Sequence, residues 1–166
     1  MIELKRLTEA GIPAALEKAE QYRLLNQPWA AESICLDIVA IQPDHQHALR
    51  TLLLARTDRF GTDGGSLKRA RETLQHLKSP YERAYYAGLI FERLAKSQLD
   101  ARVPAAPQMA WQELKQAMAC YEEAEALRPN GDDDAILRWN TCARLLNESP
   151  HIRPRHDDPE GPVLGE

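Results

Sequence analysis

The chain has 166 residues, with 43% hydrophobic and 28% charged side chains, a net charge of −4 and a pI near 5.8. That is the composition of one soluble domain large enough to bury a core. It argues against a general nucleic-acid binder, which carries a basic balance. Ala and Leu dominate the apolar content and aromatics reach only 6%, which favours helices over strands.

The amino terminus, MIELKRLTEAGIPAAL, is charged from Glu3 onward and has no signal-peptide stretch. No window approaches a membrane span, so a cytoplasmic location is expected. The first predicted helix covers Ile12–Leu25, where Ala15, Leu16, Ala19 and Tyr22 form a stripe at three-and-four spacing. Pro13 suits its first turn, and Asn26-Gln27-Pro28 ends it. A second stripe runs from Trp29 to Ile41 through Ala31, Ile34, Cys35 and Ile38 and stops at Pro43, so the two helices form an antiparallel hairpin.

Further helices are expected at about 46–58, 66–78, 81–97, 108–128 and 132–147. GTDGG at 61–65 reads as an irregular loop, and Pro104 and Pro107 interrupt the helical pattern around 98–107. Asp132, Asp133 and Asp134 suit a helix start. From Ser149 onward the sequence holds four prolines and two glycines without periodicity and reads as a disordered or loosely laid tail. Charge divides unevenly: residues 1–100 hold 14 Lys+Arg against 13 Asp+Glu, residues 101–166 hold 7 against 12. Lys68, Arg69 and Arg71 read as one solvated helix face. Cys35, Cys120 and Cys142 lie far apart and read as reduced, small, buried side chains.

A spacing recurs along the chain. Ala31, Cys35, Ile38 and Pro43 stand at offsets 0, 4, 7 and 12, and so do Ala117, Tyr121, Ala124 and Pro129. Ala70, Leu74 and Leu77 repeat the first three, with Pro80 two residues early. The first helix of a pair carries a small residue followed three later by a bulky one, Ala19 with Tyr22 and Gly88 with Phe91. The small residue lets paired helices approach, the bulky one fills the space beside it, and the proline turns the chain toward the next pair.

This pattern resembles the tetratricopeptide repeat family, whose unit is about 34 residues. Ile12–His45 is similar to one unit, Gln46–Ser79 to a looser one, and Tyr81–Pro129 to a third with an insertion around 98–107. Asp132–Leu146 looks like a closing helix, and its AILRWNTCARLL is also similar to the ending of a bacterial group of such proteins, a likeness that offers no activity. The second unit departs from the pattern: Leu53 replaces the small residue and Arg56 the bulky aromatic. The resemblance implies an all-α superhelix of about three hairpins over residues 12–148, between an extension at 1–11 and a tail at 149–166. It also implies a concave groove lined by the first helix of each pair, receiving a protein or peptide.

By register the groove would present Leu16, Glu20 and Arg23, then His47, Arg50 and Leu54, then Tyr85, Leu89 and Glu92, with Asn140 and Arg144 from the closing helix. Arg50, Arg144 and nearby Arg93 suit an acidic peptide. Some family members clamp a terminal carboxylate with Lys and Asn; Leu16 and Glu20 stand at those first-unit positions, so that clamp is not expected. Tyr85 and Tyr86 are adjacent and face about 100° apart, which puts one in the core and one toward the groove.

Signals for chemistry are sparse. His45 and His47 are two apart at a helix start and diverge, which suits a turn better than a metal. His151, His156, Asp157 and Asp158 sit in the tail without preorganised geometry. Glu122, Glu123 and Glu125 near Asp132–Asp134 lack the spacing of a Ca²⁺ loop. The sequence has no nucleophile elbow, phosphate loop, HExxH or dinucleotide glycine pattern. The expectation is a non-enzymatic adaptor without cofactor or metal, bound to neither nucleic acid nor membrane. Two alternatives stand beside it: an enzyme, or an enzyme's accessory subunit, using the 98–107 insertion or the tail, and a self-associating scaffold with the tail of one copy in the groove of another.

Overall fold

A computed structural model describes residues 1–101 and 104–152 of the chain. Among these residues every regular element is helical. The helices are α1 (Ile12–Leu24), α2 (Pro28–Ile41), α3 (Gln46–Thr57), α4 (Ser66–Leu74), α5 (Pro80–Ala101), α6 (Ala106–Leu127) and α7 (Asp134–Glu148). Short 3₁₀ turns precede α1 at Glu9–Gly11 and follow α7 at Pro150–Ile152.

Proline sets many of these boundaries. Pro13, Pro28, Pro80 and Pro107 each sit in the first turn of a helix, where a missing N–H costs nothing. Asn26 closes α1 at φ 57°, a left-handed conformation that Asn adopts more easily than most residues. His45 caps α3, its Nδ1 accepting from the backbone N–H of Ala48 at 3.1 Å, the turn role that its position suggested.

Consecutive helices pack on one another, most extensively α5 on α6, and α1 also touches α3 as α3 touches α5. The core is a series of clusters. Ala19, Ala31, Cys35, Leu52 and Ala55 join α1, α2 and α3. Leu49, Leu53, Ala70, Leu77 and Ile90 join α3, α4 and α5. Tyr121 and Cys142 lie in the cluster that unites α5, α6 and α7. The recurring small residues Ala31, Ala70 and Ala117 are all fully buried. Gly88 shows why size matters there: an added Cβ would lie 2.7 Å from the Tyr121 ring.

Three boundaries differ from the sequence reading. Helix α4 ends at Leu74, and the chain continues to Leu77 through i→i+3 bonds. This end is held from outside: Gln46 accepts from the N–H of Lys78 at 2.9 Å and donates to the carbonyl of His76 at 3.2 Å, while Arg83 donates to the carbonyl of Leu77 at 2.9 Å. The segment around 98–107 is not mainly a loop. It lengthens α5 to Ala101 and starts α6 at Ala106, so each spans 22 residues, about 33 Å at 1.5 Å per residue. The pair therefore extends as a prong beyond the 12-residue α3. The tail expected from 149 begins as the 3₁₀ turn and buries Ile152 at 1% exposure against the α5–α6–α7 cluster. His156, Asp157 and Asp158 lie outside the described residues.

The departures in the second unit have a partner. Glu32 of α2 is 5% exposed and accepts from Arg56 Nε at 3.0 Å and from Arg59 at short range, with Arg69 Nε 3.6 Å away. Arg56 also donates to the carbonyl of Arg69 at 3.0 Å and to Thr73 Oγ1 at 2.6 Å. Asp63 of the glycine loop closes the network through Arg59 and Arg69, and the Gly65 N–H bound to it holds its carboxyl below the usual range, with both guanidiniums reinforcing this against partial desolvation. A buried ionic knot thus stands where the repeat pattern has an aromatic. Arg69 belongs to this knot, whereas Lys68 and Arg71 remain exposed.

Candidate functional site: a charged cleft on the odd-numbered helices

A polar cleft of about 490 Å³ opens among the described residues. Its charged walls come from Arg23 of α1, Asp58 at the end of α3, Glu92, Arg93, Lys96 and Asp100 of α5, and Arg138 of α7. Lys96, Ser97 and Asp100 of α5 supply one wall, with the Ser97 hydroxyl set against Gly61 of the loop that follows α3.

Asp58 ties these helices together. It follows the last turn of α3, where the helix dipole is negative and a carboxylate is ordinarily disfavoured. Two guanidiniums offset this: Arg23 donates Nε to Asp58 at 2.8 Å, and Arg93 reaches the other carboxylate oxygen at short range and Thr57 Oγ1 at 3.0 Å. Deeper in, Glu92 accepts from the Tyr121 hydroxyl at 2.6 Å and from Arg138 at 3.1 Å. Burial, then the Glu92 charge and hydrogen bond, push the Tyr121 phenol well above its ordinary pKa. Burial first and the Glu92 charge second raise the nearby Cys142 thiol to about 12, and burial raises Cys35 to about 12, so neither is a ready nucleophile at neutral pH.

Family models, curated proteins and solved structures give no match to this chain. The reading of the site therefore rests on its own geometry.

Four cations line the cleft against three carboxylates. Lys96 makes no ion pair among the described residues, and each guanidinium carries five N–H donors of which the carboxylates engage only some. The remaining donors suit planar acidic groups, which arginine binds through paired hydrogen bonds. Two of the carboxylates, Asp58 and Glu92, are paired with arginines, and Asp100 is exposed.

Of the residues expected at a groove, Arg23 and Arg93 meet on Asp58 and line the cleft. Arg50 pairs with Glu82 at 2.9 Å and His47 with Glu20 at 2.5 Å, bonds that link α1, α3 and α5 outside the cleft lining. Leu89 and Leu16 are buried, at 1% and 8% exposure, and serve the core. Tyr85 and Tyr86 divide between two clusters, Tyr85 toward Tyr121 and Tyr86 toward the α3–α4 side, with their rings edge to face at 5.2 Å. Asn140 is half-buried and Arg144 exposed, and neither lines the cleft; the α7 residue that does is Arg138.

Asp58, Lys96, Asp100 and Arg138 were not anticipated. Arg138 had a signal. It falls on the stripe Ala135, Arg138, Cys142, Leu146, whose other members are buried, and a charge on such a stripe calls for an acid partner across the interface. Glu32 on the stripe of α2 carries the same message.

Proposed function

We propose that this chain is a tetratricopeptide-like scaffold whose odd-numbered helices form a recognition surface for a protein or peptide with acidic side chains. The observation that carries the reading is the cleft itself: α1, α3, α5 and α7 contribute to one polar cavity in which cations outnumber carboxylates. The serial clusters between consecutive helices, and the contacts of α1 with α3 and α3 with α5, agree with helical pairs laid side by side. The arginines that line the cleft are a residue type that anchors interfaces.

The test is comparative capture. Immobilised wild-type chain and a Lys96→Glu variant are exposed to the same lysate, with Lys115→Glu, exposed on α6, as control. Lys96 is exposed and has no ion-pair partner among the described residues, so the reversal spares the fold while altering the cleft. Partners held by wild type and the control are expected to be lost from Lys96→Glu and to elute with salt. Identical partner sets for all three proteins would refute the assignment of the cleft.

A further inference from the structure

Gln98 of α5 keeps its side-chain oxygen Oε1 buried without a hydrogen-bond partner among the described residues. A buried acceptor without a donor is costly, and native folds rarely leave one. Across the α5–α6 pair the Gln98 amide donates to the carboxyl of Glu113 on α6, and both residues are half-buried. The orphan oxygen therefore belongs to the same amide group that already holds a titratable partner.

Burial raises the Glu113 carboxyl above its ordinary range, while the charge of Arg71 on α4 and the Gln98 hydrogen bond pull it back. Arg71 is exposed to water, and among the described residues it is the charge that faces Glu113 from a neighbouring element. One turn away on α6 stand Met109, Ala110, Gln116 and Ala117, none of them charged. The α5 partner, Gln98, does not titrate.

These two groups match fully in one protonation state only. A primary amide has a donor side and an acceptor side. A carboxylate accepts from the donor side and has nothing to give the oxygen. A neutral carboxyl can do both, its O–H donating to the amide oxygen while its C=O accepts from the amide nitrogen. We propose that Glu113 and Gln98 form a proton-operated latch: Glu113 takes a proton from solvent and donates it in a hydrogen bond to Gln98 Oε1, keeps the bond from Nε2, and so fastens α5 to α6. The latch lies beside the recognition surface without lining it, since Lys96 and Ser97 of the cleft directly precede Gln98. It does not rest on the proposed function.

The sign follows from the raised carboxyl. The latch contributes fully below the ordinary glutamate value of 4.5, and its contribution is lost as pH rises through the higher folded value. NMR of the full chain tests it by following the Glu113 carboxyl carbon and the Gln98 side-chain amide through one titration. Glu113 is expected to titrate above the exposed glutamates, with the Gln98 amide signals moving at the same midpoint. Glu113→Gln supplies an amide that makes both bonds at every pH, so near neutral pH it should raise the folding constant about fivefold, as one net hydrogen bond does. That gain should vanish below the Glu113 midpoint, and most of it should be absent in a Gln98→Leu chain. Glu113 titrating with the exposed glutamates, Gln98 amide signals indifferent to its titration, or an equal gain in the Gln98→Leu chain would each overturn the proposal.

Discussion

Replacing Glu32 by Gln keeps the shape of the side chain and removes the charge at the centre of the α2–α3–α4 knot. Glu32 and Arg56 are nearly enclosed, with side chains 7% and 11% exposed, while Arg59 and Arg69 are 21% and 36% exposed and regain water and Asp63 when Glu32 is neutral. The cost therefore comes mainly from Arg56, left charged and desolvated. Breaking a buried pair in this way costs about 3–5 kcal/mol, against about 5–15 kcal/mol for a whole domain. At roughly 2–4 °C per kcal/mol for a chain of this size, the midpoint should fall by on the order of 10 °C. Glu20→Gln is the matched control, because the Glu20–His47 pair is nearly half exposed and such pairs contribute about 0–1 kcal/mol. Urea unfolding at pH 7, followed by circular dichroism, gives both numbers. Replacing both Glu32 and Arg56 by Leu should recover most of the loss, because the knot would lose its uncompensated charge. A Glu32→Gln loss no larger than that of Glu20→Gln would refute the view that a buried ion pair between α2 and α3 holds Arg56 at the position where the repeat pattern has an aromatic.

Gly88→Ala gains about 1 kcal/mol of helix propensity but drives a methyl to 2.7 Å from the Tyr121 ring, for which overpacking costs about 1–3 kcal/mol. The variant should be less stable than wild type in urea, and in a Tyr121→Leu background the same change should become neutral or stabilising. Alkali should destabilise the fold before it attacks any backbone bond. The folded pKa values of Cys35 and Cys142 are raised from 9.0 to about 12, so their contribution is complete below pH 9 and is lost as pH rises toward 12. Each thiol adds a slope of about 1.4 kcal/mol per pH unit in that window, and Cys35→Ala should reduce the measured slope by about one such increment. Stability unchanged between about pH 9 and 11 would contradict the burial of both thiols.

The helices were legible where local chemistry decides them. Prolines 13, 28, 80 and 107 start helices, and the Ala–Cys–Ile and Ala–Tyr–Ala stripes are buried as their spacing demands. The end of α4 was not legible, because Gln46 and Arg83 impose it from distant elements. The 98–107 segment misled for a related reason: its prolines signal an interruption, yet the residues flanking it are good helix formers that extend α5 and α6 from both sides. At the cleft, Arg23 and Arg93 stood out as cations on first helices. Asp58 did not, since a carboxylate at a helix end carries no periodic signal. Leu89 faces outward by register, but in the fold it is buried at 1% exposure.

The claim that the odd-numbered helices form the recognition surface can be tested by site-specific photocrosslinking in the intact cell. A photoreactive benzoylphenylalanine placed at Asp100, on the α5 wall of the cleft, should yield a discrete adduct with a partner protein, whereas the same group at Lys115 on α6 should not. Adducts from Lys115 alone, or none from Asp100, would contradict the account.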